Sequence, residues 1–128
     1  MLKNVALVAL GGSLGALARW SLGLFVSHWF GTRLPWATIS VNVLGSLLFG
    51  VVWAVTEPRM PGSATARLIL LTGFMGAFTT FSTYAFETVQ MLRDGQFGGG
   101  LFSMLLQNGV GFVGIVAGLG LGRWVAGA

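Results

Sequence analysis

Four long apolar stretches alternate with short polar connectors along this chain. Charge-free windows run over 34–56, 68–86 and 95–122, and a first apolar stretch, 4–30, is interrupted by Arg19. A helix needs about 20 residues to cross a hydrocarbon core about 30 Å thick. Every stretch is long enough, so the pattern predicts four transmembrane helices, over about 4–30, 34–56, 67–92 and 98–123. The connectors GTRLPW (31–36), EPRMPGSATAR (57–67) and RDGQFGGG (93–100) are short and carry glycine or proline breakers. No soluble domain or linker is visible, and the expectation is a single all-α membrane domain. Lys3 followed by an apolar run, with small residues at Gly11–Gly15, has the look of a signal peptide. Three further spans and the internal Arg19 favour a retained first helix.

Composition sharpens this reading. Of 128 residues, 55% are hydrophobic and only 8% charged, against about 25% charged in soluble domains. A water-facing surface so poor in charge would aggregate, so lipid is the expected solvent. The net charge of +4 comes from scattered basic residues. It lacks the clustered patch of a nucleic-acid binder, and no nucleic-acid partner is expected. There is no cysteine and a single histidine, His28, which rules out thiol chemistry and a histidine metal cluster. Twenty-one glycines in such a chain point to close helix packing and irregular backbone. With the N-terminus on one side of the membrane, that side holds Lys3, Arg59, Arg67 and Arg123, and the other Arg33 and Arg93. The bias favours the N-terminus inside but is small, and a chain with so little preference is able to insert both ways.

The polar positions inside the spans carry the candidate chemistry. The richest stretch is GFMGAFTTFSTYAFE (73–87), where Thr79, Thr80, Ser82 and Thr83 crowd among Phe78, Phe81, Tyr84 and Phe86. Polar groups at membrane depth are costly unless they pair or line a pathway. Gly73, Gly76 and two successive threonines make a poor helix core. A break at Gly76–Thr79 would free mid-membrane carbonyls, which is tolerated only inside protein or along a cavity, and which suits a monovalent cation. Beyond it, Phe81 and Tyr84 share a helical face. They are either a packed core pair or part of a pathway wall, where ring edges would favour an anion and ring faces a cation.

On the second span Thr38, Asn42, Gly45 and Ser46 fall at i, i+4, i+7 and i+8, and so on one face. Asn42 either bonds a neighbouring helix or meets a permeating solute. Arg19 either snorkels to the interface or faces a vestibule, where its partner would be Glu87 or a polar group at the same depth. The fourth span carries Ser103, Gln107 and Asn108, then Gly111, Gly114, Gly118 and Gly122. The last three glycines form overlapping GxxxG steps that read as a packing ridge. Gln107, four after Ser103, extends a polar stripe. Glu57, Arg59, Arg93 and Asp94 read as solvated loop charges.

There is no nucleotide motif, no metal-ligand cluster and no nucleophile–base pair, and the loops are too small to hold an active site. The chain is not expected to be an enzyme. Four helices enclose little pathway, so an oligomer is expected. A lining rich in donors and poor in acids suits a small anion better than a metal cation. A small multidrug or cation exporter is the alternative, but it needs a carboxylate buried mid-span, and only Glu87, at the end of the third span, is available. A structural membrane subunit that packs by its glycines is a third reading.

Three blocks, GGSLGALARW (11–20), TISVNVLGS (38–46) and GFMGAFTTFSTYAFE (73–87), resemble the Fluc (CrcB) family of fluoride ion channels. With the four spans, the resemblance covers nearly the whole chain. It implies an antiparallel, dual-topology homodimer with two fluoride pathways, in which the broken third helices cross at the centre. There a structural Na⁺ is held by backbone carbonyls that map to Gly76 and Thr79. By the same likeness Asn42, Phe81 and Tyr84 line the fluoride route with Thr38, Ser82, Thr83 and Gln107, and Arg19 sits at the vestibule. The implied role is passive export of fluoride across the bacterial inner membrane, through a multi-pass protein whose partners are fluoride, sodium, the lipid bilayer and a second copy. Two positions depart from the family pattern. The second aromatic is usually phenylalanine and is Tyr84 here. Serines or threonines frequent on the fourth helix fall here near Gln107 and Gly111.

Overall fold

Each apolar window winds into helix, because a backbone in hydrocarbon must satisfy its own N–H and C=O groups. The computed structural model describes residues 1–57 and 62–127. Within them the first span is Leu2–Phe30, the second Trp36–Val55, the third Ser63–Arg93 and the fourth Phe97–Ala126. All four are long and apolar enough to cross a membrane, and no strand occurs among the described residues. Gly31 (φ 70°) ends the first helix and Gly95 (φ 73°) makes the turn between the third and fourth. These left-handed conformations are ones a Cβ resists. The third span starts at Ser63, ahead of the apolar window, because Ser63–Arg67 is already helical. Arg59 lies outside the described residues.

Arg67 is not a free loop charge. Its Nε donates to the Thr56 carbonyl at 2.7 Å and a terminal nitrogen donates to the Trp53 carbonyl at 3.1 Å. The guanidinium also lies 4.1 Å from the centre of the Trp53 ring. It satisfies carbonyls at the C-terminal end of the second helix, where positive charge is favoured.

Glycines set the packing. The fourth-span ridge seats on the second span. A Cβ at Gly118 would collide with the Leu47 carbonyl, and one at Gly122 would come within 2.7 Å of the Val51 carbonyl. Gly50 answers from the other side, against the backbone at Ile115–Leu119. The first span approaches the third in the same way, Gly11 against Ile69 and Gly73, and Gly15 against Phe74. Gly73, read from sequence as loosening the backbone, is thus a contact glycine. The buried apolar core is small, formed by Val41, Leu71, Met75 and Phe78. Leu10, Leu14, Leu17 and Leu24 face outward along the first span, as lipid solvent allows.

Two spans depart from α winding. In the third, Leu68–Met75 is π-wound, Gly76–Phe78 returns to α, and Phe81–Arg93 forms a separate helix. The fourth is π-wound over Leu106–Val110. Such turns occur mostly as local features and are frequent at functional sites.

Candidate functional site

The third helix gives way at Thr79 (φ −77°, ψ 157°) and Thr80 (φ −147°, ψ 113°). Gly76 itself is helical (φ −60°, ψ −33°), so the break falls at the pair of threonines and needs no glycine. Thr80 is in extended conformation, in which the N–H and C=O of one residue point to the same side. Asn42 reads both. The Thr80 N–H donates to Asn42 Oδ1 at 2.8 Å, and Asn42 Nδ2 donates to the Thr80 carbonyl at 3.0 Å. One side chain thus replaces the helical acceptor that the Thr80 N–H has lost, a donor that would be costly left unpaired in hydrocarbon, and adds a second donor to the carbonyl that opens the next helix. Thr80 also caps the next helix: its Oγ1 accepts from the Thr83 N–H at 3.3 Å and donates to Thr83 Oγ1 at 3.0 Å.

The Gly76 and Thr79 carbonyls are among those that lose their helical donors at this break. In continuous helix the Gly76 carbonyl would accept from Thr80 N–H, and the Thr79 carbonyl from Thr83 N–H. Both N–H groups are diverted, one to Asn42 and the other to the Thr80 hydroxyl.

The break opens onto a cleft of about 310 Å³ between the second, third and fourth spans. Asn42, Ser46, the Thr79–Thr80 pair, Tyr84, Gln107 and Asn108 give its polar lining, and among the described residues no charged one lines it. Gly45 lets the spans close together here, since a Cβ would collide with the Thr79 methyl. Asn42 Nδ2 also donates to Gln107 Oε1 at 2.6 Å, and Gln107 Nε2 donates to Ser103 Oγ at 2.9 Å. Gln107 and Ser103 are buried. Both Asn42 amide hydrogens therefore serve the protein itself. Phe81 and Tyr84 meet edge to face, with centroids 5.7 Å apart and planes at 67°, at the cleft wall. Phe81 is 78% exposed, open to whatever flanks this chain.

The other residues singled out from sequence lie as follows. Thr38 sits outside the cleft lining, donating from Oγ1 to Glu87 Oε1 at 3.0 Å. Glu87 Oε2 is buried and has no hydrogen-bond partner among the described residues. Ser82 and Thr83 are exposed beside Thr80. Arg19 is half-buried on the first span, away from the cleft lining. It does not meet Glu87, whose recorded partner is Thr38. Asn108 had no role assigned from sequence. In α winding it lies about 100° from Gln107, yet both reach the cleft from the π-wound turn.

Fold and site together define a helical multi-pass membrane protein with an uncharged, donor-bearing cleft at a broken helix. The chain belongs to the family described as CrcB-like protein, Camphor Resistance (CrcB), whose profile matches residues 6–119. A Solidesulfovibrio magneticus protein named fluoride-specific ion channel FluC is 45% identical over 98% of this chain and 100% of its own length. A Nitrosococcus oceani protein of the same name is 45% identical over 88% of this chain and 90% of its own. One from Chloroflexus aurantiacus, also so named, is 36% identical over 98% of this chain and 100% of its own.

Proposed function

We propose that this chain is a channel for fluoride, not an enzyme, and that it lets fluoride leave the bacterial cytoplasm passively across the inner membrane. The observation that carries the reading is the uncharged cleft at the Thr79–Thr80 break, polar by amides and hydroxyls and walled by Phe81 and Tyr84. A small hard anion needs strong donors in place of its hydration shell, and carboxylates would repel it. In this reading Phe81 and Tyr84 form the route's wall, and Ser82 and Thr83 supply hydroxyls beside it. Asn42 holds the route open by bonding the break and Gln107 by holding Asn42, Thr38 keeps Glu87 engaged, and Arg19 draws anions to the entrance. The names borne by the relatives agree with this substrate.

The same reading takes the working form to be an antiparallel homodimer, inserted both ways, with the two breaks meeting at its centre. A Na⁺ there would be held by the Gly76 and Thr79 carbonyls, and the diversion of their helical donors fits that role. The ion would supply charge that ties the two breaks together. Its test is structural: replacing sodium by a large organic cation is expected to lower the thermal stability of the detergent-solubilised dimer, and indifference to sodium contradicts the assignment.

The channel itself is tested with purified protein in liposomes, following fluoride efflux with an electrode and chloride in parallel. Rapid fluoride efflux with little chloride is expected. Absent fluoride flux overturns the proposal.

A further inference from the structure

The fourth span carries an amide that ties its own backbone to the third span. Asn108 is exposed, and its Nδ2 donates to the Met104 carbonyl at 2.8 Å and to Tyr84 Oη at 2.9 Å. A backbone carbonyl only accepts, so the atom facing Met104 is the nitrogen, and this fixes the orientation of the amide. The nitrogen has two hydrogens. With one on Met104, the other meets the phenol oxygen. Tyr84 is therefore the acceptor in this bond, and its own O–H hydrogen remains available. That group belongs to a residue lining the cleft. A hydroxyl that already accepts a bond is polarised into a stronger donor.

We infer that Asn108 fixes the Tyr84 hydroxyl as a hydrogen-bond donor to a small anion in the cleft. Tyr84 then sets how tightly this chain holds the anion, and Asn108 is its positioning residue. The inference deepens the fluoride-channel reading and rests on it. The phenol is the only one in the chain, and it stands where a plain ring would offer the anion only its weakly positive edge. The π-wound turn Leu106–Val110 lets adjacent residues divide the work: Gln107 is buried against Asn42 and Asn108 reaches Tyr84. Chloride, larger and a weaker acceptor, gains less from the same O–H.

Because Tyr84 is the sole tyrosine, tyrosine labelled with ¹³C at Cζ reports on this hydroxyl alone. The full chain in lipid nanodiscs is titrated with sodium fluoride and, at matched ionic strength, sodium chloride. Fluoride is expected to move the resonance saturably and chloride to leave it in place. Asn108→Leu, close in size and at an exposed position, is expected to raise the half-saturating fluoride concentration about tenfold, the scale of one hydrogen bond to a charged group. Fluoride-dependent efflux from liposomes is expected to show the same rise in Asn108→Leu and in Tyr84→Phe, with no further rise in the double variant. A resonance indifferent to fluoride, in protein that conducts it, overturns the inference and leaves the channel reading standing. Equal fluoride dependence in wild type and Asn108→Leu removes Asn108 from the site. Wild-type liposomes without efflux overturn the channel reading and the inference with it.

Discussion

The seam between the second and fourth spans and the knot at the break of the third are made by opposite means. At the seam Gly50, Gly118 and Gly122 remove side chains so that two regular helices touch backbone to backbone. At the knot Asn42 adds a side chain to make good what an irregular backbone lacks, bonding both sides of Thr80. Lipid gives neither region a hydrophobic driving force, since acyl chains are as apolar as the helices. Close contact serves one, hydrogen bonding the other. The seam should therefore fail as a fold, and the knot as a function.

The largest effect is expected at the seam. Gly118→Val drives a branched side chain into the Leu47 carbonyl and the Val51 amide, an overpacking of about 3 kcal/mol or more. Its expected signature is loss of monodisperse protein on size exclusion; a well-behaved Gly118→Val protein would show the seam to be looser than described.

Asn42→Leu leaves the Thr80 N–H unpaired, at about 1–3 kcal/mol, and takes a second donor from the Thr80 carbonyl. It is expected to abolish fluoride efflux while much of the protein still purifies. Efflux at the wild-type rate would detach the knot from function.

Phe81→Ile leaves every bond of the knot in place and changes only the wall. Fluoride throughput is expected to fall about tenfold, one unit of 1.4 kcal/mol, with size-exclusion behaviour and melting temperature kept. Undiminished flux would remove Phe81 from the route.

Thr80→Ala should have the smallest effect. It removes the cap on the helix that starts at Phe81, worth about 1 kcal/mol, but leaves the backbone contacts with Asn42. A melting temperature lowered by a few degrees, with efflux retained, is the expected result. A loss of stability as large as that of Asn42→Leu would place the knot in the hydroxyls instead of the amide.

Much of this is readable from the chain. Four windows of apolar residues admit little but membrane helices, and the helical repeat puts Asn42, Gly45 and Ser46 on the face that meets the break. The Gly114–Gly118–Gly122 ridge is legible because small residues at four-residue spacing have one common use. Other features are hidden by their physics. Gly73 and Gly76 look like the helix breakers, but Gly73 serves a close approach to the first span. The break falls at Thr79 and Thr80, where Asn42, 38 residues earlier, supplies what the backbone loses. Arg67 counts as an orienting charge in sequence, while in three dimensions it is a helix cap on Trp53 and Thr56. Glu87 finds a hydroxyl at Thr38, not the guanidinium of Arg19. Asn108 escapes any reading with a 3.6-residue repeat, because the repeat itself changes there.

That change of winding at Leu106–Val110 has a consequence for how this chain tolerates changes in length. A π turn holds one residue more than the α turn it replaces, so the fourth span carries the equivalent of a single-residue insertion. Everything after it is displaced by about 100° and 1.5 Å relative to an uninterrupted helix. Deleting Gly109, whose surroundings are open, would relax the winding and force a choice. Either the ridge keeps its seat on the second span and Asn108 swings off Tyr84, or Asn108 stays and the ridge rotates away. The Tyr84 Cζ resonance and the melting temperature of the deletion protein distinguish the two. We expect the ridge to hold its place and the tyrosine signal to move.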